Sequence, residues 1–184
     1  MLKRLAIAAA ILGSLPVVAL AHGPSRQKVT ETIEINAPAD KVWAVVGNFQ
    51  DMSWAPAVAK TEGKGDNKPA TGANNDGATR TLTLKNGGVI QEMLDRYDPE
   101  DKSYSYEITK VDVKVLPVND YSSKITVTAD GDNKSTLEWH GAFYRGFMNN
   151  DPPPELNDEA SAKAVSDLYK SSLAAVKAKI EGGK

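Results

Sequence analysis

The stretch NDEASAKAVSDLYKSSLAAVKAKIE, residues 157–181, decides the fold. Its apolar positions recur in steps of three and four. Val165, Leu168 or Tyr169, Ser172, Val176 and Ile180 fall on one stripe, and Lys163, Asp167, Lys170, Lys177 and Lys179 mostly fall elsewhere. Pro152, Pro153 and Pro154 precede it. Asn157 offers a cap, Asp158 and Glu159 an acidic first turn, Lys177 and Lys179 a basic end, and Gly182 a stop. A helix of this length spans about 37 Å at 1.5 Å per residue. One amphipathic rod that long needs a broad apolar surface to lie on.

The chain between Val29 and Tyr144 has the pattern to supply it. Val29 to Ile35 alternates in polarity and predicts a first strand. Ala37-Pro38-Ala39-Asp40 then changes the period. Proline is tolerated in a first helical turn because its missing N–H had no partner there. Val42, Trp43, Val45, Val46 and Phe49 predict a short helix, and Asp51 to Pro56 a further short helical turn. Strands follow at Val58–Glu62, Ala78–Leu84, Val89–Tyr97, Tyr104–Val111, Tyr121–Ala129 and Thr136–Tyr144. Gly63 to Gly77, rich in Gly, Asn and Asp, reads as a long exposed connection, and Leu116-Pro117-Val118-Asn119 as an interruption. The expected fold is therefore α+β. A curved antiparallel sheet of about six to seven strands wraps a long C-terminal helix, with two short helices after strand one.

The N-terminus reads as an export signal. Lys3 and Arg4 precede an apolar run to Ala21 that ends Ala19-Leu20-Ala21. The run contains Pro16 and is shorter than the roughly 20 apolar residues a membrane span needs. Residues 1–21 are expected to be a signal peptide cleaved after Ala21, and residues 22–184 a single exported domain with no membrane attachment after cleavage. The net charge of −2 and the lack of a basic patch with interleaved aromatics argue against nucleic acid. With no cysteine, disulfides, thiol catalysis and thiolate metal sites are excluded.

No nucleophile–base arrangement is visible, so no catalytic residue, metal or cofactor is expected. His140 shares a face with Glu138 and Thr136 and is expected outside. His22 would be the new N-terminus, where imidazole and α-amine can chelate Cu(II), but no second ligand is evident. Asn74-Asn75-Asp76-Gly77 fails as a Ca²⁺ loop for want of a ligand at its first and twelfth positions.

Aromatic residues gather on the faces that should meet the final helix. Leu137, Trp139, Gly141 and Phe143 form one such face, Tyr104, Tyr106 and Ile108 a second, and Tyr121, Ile125 and Val127 a third. One reading is a solid core. The other is a cavity for a small apolar or aromatic ligand, walled by Trp139, Tyr106, Trp43 and Trp54. Arg80 lies on the face of Leu82 and Leu84 and is a candidate polar handle with Glu92, or else an ion pair at the sheet end. A three-residue loop, Asn86 to Gly88, places Leu82 opposite Glu92. A two-residue turn at Asn86-Gly87 sends Glu92 outward. The longer loop is preferred. Asn149, Asn150, Asp151, Pro152, Pro153 and Pro154 should be extended and exposed. A pre-extended segment loses little entropy on docking, so they are the first candidate contact for a partner.

Ile33 to Phe49, with strand, Ala37-Pro38 and a helix carrying Val42-Trp43, resembles the opening of the START-like helix-grip superfamily, which includes polyketide cyclase/dehydrase-type domains. Phe49, Met52 to Val58, Arg80 to Leu84, Trp139 to Gly146 and Asn149 to Pro154 further resemble the MxaD-type accessory proteins of periplasmic methanol oxidation. That second resemblance implies a non-enzymatic role assisting electron transfer between methanol dehydrogenase and its c-type cytochrome. Two alternatives stand beside it: a carrier of a small apolar ligand, and a polyketide cyclase-like enzyme using Arg80, Glu92 or a tyrosine.

Overall fold

The computed structural model describes residues 23–71 and 76–182. The signal-peptide expectation, His22 and the Asn74–Asn75 pair lie outside those residues. Seven strands, β1 (Gln27–Ile35), β2 (Val58–Lys64), β3 (Thr79–Leu84), β4 (Val89–Asp98), β5 (Ser103–Val111), β6 (Val118–Ala129) and β7 (Ser135–Arg145), form one sheet. The order is β1-β7-β6-β5-β4-β3-β2, and every neighbouring pair is antiparallel. Strands β2 to β7 are therefore a meander, and β1 closes onto its last strand. Helix α1 (Ala39–Val46) follows β1, and helix α2 (Asp158–Glu181) ends the fold. No described helix is long and apolar enough to cross a membrane. The α+β helix-grip architecture expected from the sequence is the one observed.

The alternation along β7 is complete. Ser135, Leu137, Trp139, Gly141, Phe143 and Arg145 are buried, and the residues between them are half-buried. Trp139 and Phe143 face α2 across the core, whereas His140 sits on the outer face with its Nδ1 2.7 Å from Thr30 Oγ1. It is half-buried there rather than exposed, because β1 runs beside it.

Helix α2 buries Ser161, Val165, Tyr169, Ser172, Leu173, Val176 and Ile180. Asn157 caps it, its side chain accepting from the Ala160 N–H at 2.8 Å. Polar ties to β1 and the residue after it run along the rod. Ser166 Oγ donates to Glu31, Lys177 Nζ donates to the Glu34 carbonyl at 2.7 Å, and Glu181 accepts from the Asn36 N–H at 2.7 Å. The rod is thus held over the β1–β7 side of the sheet.

Three local expectations are corrected. Among the described residues a single helix lies between β1 and β2. Residues 52–58 form consecutive tight turns, with Ala55 N–H bonded to the Met52 carbonyl and Val58 N–H to the Ala55 carbonyl, both at 3.0 Å. Pro56 has no N–H to continue a helix and biases Ala55 away from helical geometry. Strand β6 starts at Val118, inside the expected interruption. It absorbs the irregularity as a register shift between Asn119 and Ser122, with Asp120 at φ 44°. Last, the proline segment is not extended throughout. Asn149, Asn150 and Asp151 are exposed, Pro152 and Pro153 are half-buried, and Pro154–Leu156 is a short 3-10 turn. Arg145 shapes it, donating to the carbonyls of Phe147 at 2.7 Å and Asn149 at 2.9 Å and pairing with Asp158 at 3.2 Å.

Candidate functional site

The β3–β4 hairpin sets the polar floor of the site. Its three-residue loop is Lys85-Asn86-Gly87, closed by a 2.8 Å bond from the Leu84 N–H to the Gly88 carbonyl. Gly87 sits at φ 84°, the left-handed position such a loop requires. The loop has the expected length but lies one residue earlier than expected. The pairing moves by two, so Leu82 faces Ile90 and Arg80 faces Glu92 directly. A shift of two preserves the face, and both charged side chains point inward.

Arg80 is 1% and Glu92 4% exposed. Arg80 Nε donates to Glu92 Oε2 at 2.5 Å, and Arg80 Nη1 donates to the Phe49 carbonyl at 2.6 Å. The guanidinium carbon lies 4.2 Å from the Phe49 ring centre and 4.7 Å from that of Tyr106. Burial pushes the Glu92 carboxyl above the ordinary carboxylate range, with Arg80 opposing that shift. Desolvation opposes the charge on the guanidinium, and the Glu92 carboxylate beside it more than offsets that, so it stays charged.

Beside this pair lies a cavity of about 460 Å³ between the concave face of β3–β6 and α2. Its walls are mainly apolar, with Leu82, Ile90, Ile108, Leu116 and Leu168 among them. The exposed Asn86, Asp167 and Ser171 stand at its rim. Of the sequence candidates, Glu92, Tyr106 and Trp139 line it. Arg80 does not; it holds Glu92 from behind. Trp54 does not either. Its indole N–H donates to the Asp51 carbonyl at 2.9 Å, which pins it edge-on against Trp139 at 5.5 Å. Trp43, on α1, does not line it either: it lies 6.0 Å from Tyr97 and 6.1 Å from Tyr104, and Tyr104 stands between it and Tyr106.

Sequence reasoning missed a buried hydrogen-bond chain at the cavity's inner end. Ser123 Oγ donates to the His140 carbonyl at 2.7 Å and accepts from Trp139 Nε1 at 2.8 Å. Its one proton is thereby committed, so the Tyr169 hydroxyl, 3.1 Å away, donates to it. The Tyr121 hydroxyl in turn donates to Tyr169 Oη. Trp139 Nε1 also reaches the Tyr106 hydroxyl at 3.1 Å. Burial raises Tyr106, Tyr121 and Tyr169 well above the ordinary phenol range, so all three stay protonated. The available signal was Ser123, a hydroxyl on an otherwise apolar inward face of β6.

The polyketide cyclase / dehydrase and lipid transport family matches residues 26–181, and the chain belongs to that family. No curated protein matches it by sequence. Among solved structures it resembles the protein XoxI from Bacillus cereus, at 24% identity and TM-score 0.66, over 84% of this chain and 95% of the other. It also resembles norcoclaurine synthase from Thalictrum flavum, in complex with dopamine and hydroxybenzaldehyde. That match has 15% identity and TM-score 0.64 over 97% and 99% of the two chains. A third likeness is the ZhuI aromatase/cyclase from Streptomyces sp. R1128, at 19% identity and TM-score 0.65 over 85% and 94%. At these identities the likeness is one of fold.

Removing Arg80 tests the floor. Arg80→Met leaves a buried unpaired carboxylate and should cost about 3–5 kcal/mol at neutral pH. Glu92 has a folded pKa above its unfolded value. Its proton-linked contribution is therefore full below the unfolded pKa and is lost as pH rises through the folded one. The deficit of Arg80→Met should accordingly shrink in acid, and Arg80→Met with Glu92→Leu should recover most of it. Urea titrations at acid and neutral pH read both effects; a pH-independent deficit would contradict the assignment.

Proposed function

We propose that this protein binds a small, mainly apolar or aromatic molecule between its sheet and α2 and serves as its carrier. The observation behind this reading is the preformed cavity of about 460 Å³. Its size falls within the roughly 300–1,000 Å³ of small-molecule sites, and its walls are apolar with a few convergent polar groups. The family's name couples cyclisation with lipid transport. A structural relative is described with two small aromatic molecules. Both fit a carrier of an apolar or aromatic ligand.

A second reading takes the MxaD-type motifs further, with the chain as an exported, periplasmic accessory of methanol dehydrogenase and its c-type cytochrome. In its favour stands the surface from Met148 to Asp151, which Arg145 holds in one shape. Met148 is 41% exposed, a large apolar side chain open to a partner. The two readings are compatible, since they use different faces.

Calorimetric titration with naphthalene tests the first. The full chain should bind it, and Ala164→Phe, which fills the cavity from α2, should weaken binding about tenfold or more at an unchanged melting temperature. Equal affinity in the variant would place the probe elsewhere and contradict the reading. For the second, the chain used as bait in periplasmic extract should retain the dehydrogenase or the cytochrome. Retention of neither, together with unchanged methanol-linked respiration after deletion, would reject it.

A further inference from the structure

The hydrogen-bond directions around the cavity narrow the ligand class beyond apolar shape, and this inference rests on the cavity reading above. Glu92 Oε2 is occupied by Arg80, and among the described residues no donor reaches Oε1. Glu92 lines the cavity, so that oxygen is an acceptor available to an occupant. Tyr106 also lines it. Its hydroxyl oxygen takes the longer, 3.1 Å arm of the Trp139 indole N–H, whose 2.8 Å arm goes to Ser123, and among the described residues its own proton finds no acceptor. Tyr106 is thus an available donor. Tyr121, which also lines it, spends its proton on Tyr169 and has only lone pairs to offer.

Glu92 and Tyr106 stand on neighbouring strands with their side chains on one face. Glu92 pairs with Ile108 and Tyr106 with Leu94, two positions along. Diagonal positions of this kind are roughly 7–8 Å apart, close enough for one bound atom to touch both side chains. The atom must donate to one and accept from the other. A hydroxyl does both.

The charge at the floor is already balanced, because Arg80 sits against Glu92. A ligand ammonium is not needed to neutralise the carboxylate. A ligand carboxylate would meet Glu92 with its own charge desolvated and unpaired. We propose that the cavity selects a neutral hydroxylated molecule, an alcohol or phenol on an apolar body. Its hydroxyl bridges Glu92 Oε1 and Tyr106 Oη while its body lies against Leu82, Ile90 and Leu168.

Three probes of similar size separate the possibilities: naphthalene, naphthol and naphthoate, titrated calorimetrically into the full chain at neutral pH. Naphthol should bind about tenfold tighter than naphthalene, because a hydrogen bond to a charged group contributes of that order. Naphthoate should bind more weakly than either. Tyr106→Phe keeps the ring and removes the donor, so it should reduce the ratio of naphthol to naphthalene affinity. Glu92→Gln should reduce it as well, and the Tyr106 variant carries the test alone if that chain does not fold. Equal binding of naphthol and naphthalene would overturn the hydroxyl bridge and leave the cavity reading standing. So would a preference for naphthoate, or a naphthol preference that Tyr106→Phe does not change. Failure of all three probes to bind would overturn both.

Discussion

One side chain, Tyr169, fixes where α2 lies on the sheet. Its ring stacks on Trp139 with centres 4.3 Å apart and planes 12° from parallel. Its hydroxyl enters directly over Gly141, where any β-carbon would collide with it. The absence of a side chain in the middle of β7, ordinarily a weakness in a strand, is what lets the helix come this close. Once inside, the hydroxyl is satisfied by Ser123 and Tyr121, so the buried polar atom is not a liability. The helix is then tied along β1 by Ser166, Lys177 and Glu181. A rod anchored over β1 and β7 leaves the concave face of β3 to β5 incompletely covered. The cavity is the consequence of that placement.

The floor of the cavity is costly by comparison. A buried ion pair seldom adds net stability over an apolar substitute, because two charges must be desolvated. Here the pair is supported by more than its own attraction, through the Phe49 carbonyl and the faces of Phe49 and Tyr106. What the arrangement provides is a carboxylate oxygen that faces an apolar space without carrying uncompensated charge. An all-apolar floor would bury as much surface and present no polar atom to that space.

Much of the fold was legible because periodicity reports on faces. The 3.6-residue stripe of residues 157–181 and the two-residue alternation of the strands both survive into the structure, as does the inward placement of Arg80, Glu92, Tyr106 and Trp139. The cross-strand register was less legible. The hairpin loop starts at Lys85 rather than Asn86, a choice set by which residue takes the left-handed position, and Gly87 and Gly88 were both available to do so. Faces withstand a shift of two; partners do not. Whether an aromatic residue walls a cavity or packs behind the wall was not legible at all. Trp54 and Trp139 are 5.5 Å apart, and only the helix position decides which of them meets open space. The chain of hydroxyls from Tyr121 to Ser123 joins two strands and a helix, and no single segment contains it.

The cavity exists because Tyr169 seats α2 over the empty position at Gly141 in β7. The most direct measurement is a double-mutant cycle on unfolding free energy with Gly141→Ala and Tyr169→Phe. Gly141→Ala alone should cost about 1–3 kcal/mol, the usual penalty for overfilling a packed core. With the Tyr169 hydroxyl removed, most of that cost should disappear, since alanine is otherwise the better strand residue. The same cost in both backgrounds would show that the hydroxyl does not occupy the space over Gly141, and the placement of the helix and of the cavity beneath it would fall with it.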